Sequence, residues 1–187
     1  LKRSLGLSLG LLALPPIVLL RDLGPLPRKS LRTTAWKAGS PLLNSETGAP
    51  VKLGDLEIGS FTTVLPQPAE QLTEEDLAKA PVLLIRLEPG LNDPAPGREN
   101  WAYQDHVAYS KICTHVGCPV GLYQKQNHKL LCPCHQSTFL VPEACKVVFG
   151  PAARSLPQLP ITVNADGEFI ATAGFDEPVG PSFWERG

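Results

Sequence analysis

The residues of this chain whose types and spacing could do chemistry lie in two short segments, Cys113-Thr-His115-Val-Gly-Cys118 and Cys132-Pro-Cys134-His135-Gln-Ser137. In an extended loop, residues two apart face the same side, so Cys113 and His115 can reach one centre together. Cys132 and His135 form the matching pair, with the turn-making Pro133 between them. Two thiolates and two neutral imidazoles suit a [2Fe–2S] cluster in which one iron carries sulfur ligands and the other nitrogen ligands. That asymmetry localises a reducing electron on the histidine iron, which is electron-transfer chemistry. Cys118 and Cys134 remain, one in each segment, and a disulfide between them would clip the two loops together.

Other readings of the same residues explain less. A structural zinc site takes four Cys and His ligands in a closed tetrahedron, but it leaves two symmetrically placed cysteines without a purpose. A purely disulfide-bonded domain leaves both histidines without one. Cys145 is the odd cysteine and reads as a small buried or partly exposed thiol rather than a ligand. His106 and His128 fall outside both segments, where a surface or hydrogen-bonded core histidine is the ordinary expectation.

Taken together, Cys-Thr-His-x-Gly-Cys and Cys-Pro-Cys-His-x-Ser resemble the Rieske iron–sulfur protein of cytochrome bc complexes, a similarity running from about residue 101 through Gly150-Pro151-Ala152. The resemblance implies Cys113 and Cys132 on one iron, His115 and His135 on the other, and a Cys118–Cys134 disulfide. It also implies that Ser137 donates its hydroxyl to a cluster sulfide, and that residues 150–152 form the proline loop covering the cluster. Rieske oxygenases and their ferredoxins generally keep the four ligands but lack the second cysteine pair. The quinol-oxidising branch, in its actinobacterial menaquinol:cytochrome c form, is therefore the expected placement.

That placement implies further expectations. His135, where the family contacts quinol, accepts a hydrogen bond and one proton, and His115 shares the proton chemistry. The expected partners are a cytochrome b subunit, a c-type cytochrome, quinol and a lipid membrane, in a dimeric complex that can include a terminal oxidase. A Rieske subunit of a molybdenum oxidase such as arsenite oxidase is the alternative of another class. A soluble ferredoxin fits poorly with an apolar N-terminal segment. Two departures from the family pattern bear on redox tuning. Phe139 stands where high-potential members have a tyrosine that donates to a ligand sulfur, which predicts a lower potential within the family span of roughly −150 to +300 mV. Gln136 replaces a common glycine, and Ala153 stands where the proline loop often has a second proline.

The elements that must position these loops are short. With 187 residues, a net charge of −1, twenty prolines and sixteen glycines, the chain fits one globular domain plus an appendage, and nothing in it points to nucleic-acid binding. Residues 61–65, 82–87, 107–110, 129–132, 161–164 and 168–172 have strand character, which predicts an all-β, antiparallel Rieske fold with a cluster-binding subdomain. Asn164-Ala-Asp-Gly167 is a hairpin turn, and Thr73-Glu-Glu-Asp76 opens a short helix as a capping box with Asp in the usual Glu position. Residues 47–100 are longer and more proline-rich than a minimal base requires, and the excess reads as a packing or partner-docking elaboration. Trp101, Tyr103 and Tyr109 read as core aromatics near the ligand loop.

The appendage is the uncharged run 5–20, preceded by Lys2-Arg3. It reads as a membrane-spanning helix kinked at Pro15-Pro16, slightly short but extendable by snorkelling Lys and Arg. A cleaved secretory signal is its rival, without a clean cleavage site after Leu20. The chain begins at Leu1 and has no methionine, so processing or truncation upstream is expected. The domain organisation read from this is an anchor at 1–24, a linker or hinge at 25–40 and a Rieske domain at 41–187, with the cluster loops at about 110–155. Arg21, Arg28, Lys29, Arg32 and Lys37 conflict with export under the positive-inside rule. A disulfide nevertheless needs an oxidising compartment, which places the domain on the extracytoplasmic side of the plasma membrane.

Overall fold

The structure, a computed structural model, describes residues 2–20 and 33–181. Helix α1 (Lys2–Leu20) buries no residue in the chain itself and is long and apolar enough to cross a membrane, with a mean hydropathy of 1.7. It runs continuously through Pro15 and Pro16, which withhold two intrahelical N–H donors. Half of the expected linker, residues 25–32, lies outside the described residues. Its described end is docked: Trp36 is buried, its indole N–H donates to the Ala80 carbonyl at 2.7 Å, and the Gly39 amide donates to Ala171 at 2.8 Å.

The globular part is antiparallel throughout. Strands β1 (Leu43–Asn44), β2 (Phe61–Leu65), β3 (Val82–Arg86) and β4 (His106–Ser110) form one sheet in that order. Strands β5 (Leu122–Gln124), β6 (Lys129–Leu131), β7 (Thr138–Leu140) and β8 (Lys146–Phe149) form a second, and β9 (Ile161–Val163) pairs with β10 (Phe169–Ala171). The chain after β8 returns to the first sheet, where the Leu159 amide donates to Ala108 at 2.9 Å and the Ser110 amide to Pro157 at 2.8 Å.

Strand β3 explains why this arrangement holds. Its residues Val82 to Ile85 are all buried, because Leu83 and Ile85 face one core while Val82 and Leu84 face another. A strand covered on both sides reads as a continuous apolar run rather than an alternating one. Neighbouring β4 divides the same way, with Val107 and Tyr109 on the first core and Ala108 on the second. The first core continues into the β5–β8 sheet through Leu130 and Phe139, so one wall supports the base of the domain and the loops above it.

Local chemistry follows the sequence closely in two places. Thr73 caps helix α2 (Glu74–Lys79): its hydroxyl accepts from the Asp76 amide at 3.1 Å and donates to the Asp76 carboxylate at 2.8 Å. The shorter Asp thus reaches the capping hydroxyl, whereas a capping-box Glu reaches the backbone N–H. At the β9–β10 turn, Asn164 Oδ1 accepts from the Asp166 and Glu168 amides at 3.0 and 2.9 Å, and Gly167 takes φ +75°. Residues 47–100 contain β2 and β3 where strand character was expected, and both belong to the base sheet. Strands β1, β5, β7 and β8 were not expected from the sequence, and β8 in particular is mostly exposed.

His106, paired with Arg86 across β3 and β4, is buried with its ring centroid 4.8 Å from that of Phe169. Neither ring nitrogen has a hydrogen-bond partner among the described residues. Burial first, and the Arg86 charge second, push its pKa below the ordinary value of 6.5. Below pH 6.5 the unfolded chain therefore binds a proton that the folded chain resists, so this contribution is complete above that pH and is lost as pH falls toward the depressed folded value. Urea unfolding at pH 7.5 and 5.5 should show a smaller loss of stability in His106→Phe than in the parent; an equal or larger loss would place the pH sensitivity elsewhere.

Candidate metal centre

The two chemistry-bearing segments adopt the same backbone turn. In the first, which follows β4, the Cys113 amide donates to Cys118 at 2.8 Å and the Gly117 amide to Cys113 at 3.0 Å. In the second, between β6 and β7, the Cys132 amide donates to Ser137 at 2.8 Å and the Gln136 amide to Cys132 at 3.1 Å. Each is a six-residue loop opened by a cysteine, closed by its first and last residues, and tightened from its fifth. That fifth residue has a positive φ in both, +87° at Gly117 and +61° at Gln136. A Cys118–Cys134 disulfide with Cα atoms 6.5 Å apart ties the loops together.

The turns aim their first cysteines inward. Cys113 and Cys132 are both buried as free thiols within the core that includes Leu130, Phe139 and Leu156. Burial is the main cause that pushes the Cys113 thiol up, and the neighbouring Cys132 adds to it; the His115 backbone and the Ser137 hydroxyl act in the opposite direction. Cys132 Sγ also lies within 4.8 Å of both disulfide sulfurs, but those are spent in their mutual bond and offer no thiolate.

The histidines form the outer half of the constellation. The rings of His115 and His135 meet edge to face with centroids 4.7 Å apart. His115 is half-buried, and its Nδ1 is enclosed without a hydrogen-bond partner among the described residues, as suits a nitrogen reserved for a metal. His135 is exposed. Ser137 is fully buried beneath them and accepts a hydrogen bond from the Ala152 amide at 3.1 Å. Gly150 makes that contact possible, since a Cβ there would stand 2.6 Å from Ser137 Cα. Two adjoining buried thiols, an orphaned imidazole nitrogen and a second imidazole in ring contact are a donor set that fits a mixed sulfur and nitrogen [2Fe–2S] group.

The remaining cysteine and histidine outside both loops sit apart from this set. Cys145 is a fully buried thiol, pushed well above the ordinary range by desolvation, and His128 lies beside the Tyr123 hydroxyl, with Nδ1 at 3.4 Å. Tyr109 is a core residue, whereas Trp101 is only half-buried beneath the Arg98 guanidinium at 4.6 Å. Two residues near the loops, Thr114 and Arg154, escaped the sequence reading. Thr114, between two site residues, donates from Oγ1 to the Arg154 carbonyl at 2.6 Å, and that carbonyl belongs to an arginine in a loop. A contact forty residues apart carries no local spacing signal.

Two antiparallel sheets that each present one Cys–His loop to a shared, disulfide-clipped site define the class of a one-electron iron–sulfur carrier. The Rieske [2Fe-2S] domain family matches residues 67–160. The chain is 50% identical over 185 residues to the cytochrome bc1 complex Rieske iron-sulfur subunit of Streptomyces coelicolor, covering 96% of this chain and 52% of that protein. It is 49% identical over 172 residues to the subunit of the same name from Streptomyces lividans, covering 89% and 99%. The counterpart from Corynebacterium efficiens is 46% identical over 152 residues, covering 71% and 37%. The chain thus spans about half of the first relative, just over a third of the third and nearly all of the second. It belongs to the Rieske [2Fe-2S] family, among the actinobacterial cytochrome bc1 complex Rieske iron–sulfur subunits.

The matched turns make the two loops unequal in strain. A left-handed backbone costs a residue with a Cβ about 1–2 kcal/mol, which Gly117 avoids and Gln136 does not. Gln136→Gly should raise the thermal midpoint of the protein, and Gly150→Ala should lower it and release bound iron, because φ there is +89° and the added carbon meets backbone. Thermal melts with iron counted per chain check both; a destabilised Gln136→Gly, or a Gly150→Ala that keeps full iron and stability, would contradict the account.

Proposed function

We propose that this chain is the electron-carrying subunit of a quinol:cytochrome c oxidoreductase, receiving electrons one at a time from a quinol such as menaquinol and delivering them to a c-type cytochrome. The observation that carries the reading is the pair of matched loops, with their thiols buried and one histidine exposed. The names of the relatives support the same reading. We assign Cys113 and Cys132 as the sulfur ligands and His115 and His135 as the nitrogen ligands. A [2Fe–2S] group held by them supplies one-electron acceptance, which no side chain of this protein provides by itself.

The residues supply the rest. His135 presents its outer ring nitrogen to the quinol hydroxyl, accepts a hydrogen bond, and takes one proton as one electron leaves the quinol. His115 sits against that ring and is placed to share the same proton chemistry. The quinol's second electron goes to the haems of a cytochrome b partner. Ser137 directs its hydroxyl toward the buried sulfurs, while the 150–152 segment covers them. Residues 1–24 anchor the chain in the plasma membrane, with the segment beyond as the connection and residues 41–187 on the extracytoplasmic side, where the disulfide persists. The complex is dimeric and is suited to association with a terminal oxidase.

An EPR-monitored redox titration of the membrane-bound protein between pH 6 and 10 tests this function. A Rieske-type signal should appear, with a midpoint that falls with pH and approaches about 59 mV per unit for one electron and one proton. A pH-independent midpoint would remove histidine from the proton step, and intact protein with zinc but no signal would defeat the ligand assignment.

Phe139 provides a second test. It is fully buried in the core shared with Cys113 and Cys132. Hydrogen bonds to the sulfurs raise the potential, so Phe139→Tyr should raise the midpoint with the metal content unchanged. An unchanged or lowered midpoint in a fully loaded variant would mean that the new hydroxyl does not reach sulfur.

A further inference from the structure

Beyond the ligands themselves, a chain of polar contacts joins the C-terminal segment to both parts of the site. Arg154 lies two residues beyond the cover segment 150–152, at the end of the stretch that begins at Gly150, and its carbonyl accepts the Thr114 hydroxyl at 2.6 Å. Its guanidinium donates to the carbonyls of Pro178 and of Gly180, the latter at 2.6 Å, and lies 3.8 Å from Glu177. Glu177 also accepts from Arg98 at 2.6 Å, and Arg98 in turn covers the Trp101 ring. The same segment lies on the first loop. A Cβ at Gly117 would be 3.6 Å from Pro181, and one at Gly180 would be 3.4 Å from Ile112. Buried Val179 holds the segment down between these contacts.

We propose that residues 176–181 form a strap that fixes the cover segment against the 113–118 loop, with Arg154 as the positioning residue. Thr114 lies between two of the proposed ligands, and the cover segment reaches Ser137 through the Ala152 amide. Arg154 therefore ties together three parts of the site: the first loop through its carbonyl, the strap through its guanidinium, and the second loop through the segment it ends. Its Nη2 donates to both carbonyls while Nη1 of the same planar fork faces Glu177, whereas a lysine ammonium carries its three donors on a flexible stem with no second nitrogen to face the carboxylate. Arg154 touches none of the ligand side chains in these contacts. Its effect on the centre is to keep the Ser137 hydroxyl and the first loop in register.

This inference rests on the proposed ligand set, and two mild variants of the full-length, metal-loaded membrane protein test it. Arg154→Lys keeps the positive charge but loses the fork. Glu177→Gln, at a partly exposed position, keeps the shape but loses the ion pairs. If the strap positions the site, both variants lower the midpoint by weakening Ser137 donation. Both also speed amide exchange across residues 150–155 while leaving β3 and β4 at parental rates. If Arg154 acts only as a charge, Arg154→Lys keeps the parental midpoint and Glu177→Gln raises it. Either of those midpoints, or unaltered exchange at 150–155, overturns the proposal. A missing signal in the parent protein would count against the ligand set, and the exchange measurement would still decide the strap.

Discussion

Two thiols held side by side and out of water are the constraint on which the rest of this domain depends. Cys113 and Cys132 are essentially inaccessible. Ionising both there would place like charges together in a poorly solvating environment, and burial together with that neighbour pushes the Cys113 thiol up. Metal charge reverses that penalty and makes deprotonated sulfur the stable form. The fold cannot rely on the sulfurs to find each other, because without metal they gain little by meeting. Geometry must come from the backbone, and the two loops get it from the same pair of hydrogen bonds. The disulfide then fixes one loop against the other.

The wall beneath the loops carries that geometry into the domain. Alternate residues of β3 and β4 serve different cores, so a one-residue slip between these strands would exchange the two sets of side chains and disrupt both. Register is consequently well specified where β4 hands over to the first loop. The second loop is positioned from the small sheet, whose Leu130 and Phe139 pack into the core that also holds Leu83, Ile85 and Tyr109. Two loops that arise from different sheets therefore share one apolar floor. The exposed His135 sits at the outer side of a site whose sulfurs belong to that floor.

What the sequence made legible was what it encodes locally. Ligand types and spacings, the apolar run of β3, the Asn164–Gly167 turn and the Thr73 cap each express their chemistry within a few residues. The short strands of the small sheet do not. β5 and β8 are largely exposed, so hydrophobic alternation is nearly absent from them, and pairing with β6 and β7 defines them instead. Trp36 was hidden in a basic, proline-rich stretch whose average composition reads as linker, although one buried indole is enough to dock its end. The Arg154 contacts were invisible for another reason: they join residues 24 to 40 positions apart, and an arginine in a loop carries no local sign of which carbonyls it will hold.

With the proposed ligand set, the Ser137 hydroxyl links the packing of residues 150–152 to the redox chemistry. A serine has one proton to donate and lone pairs with which to accept. Because the Ala152 amide occupies an accepting direction, the orientation of the hydroxyl is constrained, and its proton is free for sulfur. A cover that merely excluded water would leave that proton free to rotate. Here the backbone of that segment selects where it points, and with the proposed ligand set, where Phe139 contributes no hydroxyl, one oriented donor would carry more of the stabilisation of a reduced, more negative centre. The close fit of Gly150 on Ser137 is then required on two grounds, since the separation that would admit a side chain would also lengthen the Ala152 hydrogen bond. In the proposed site, packing and potential would be set by the same contact.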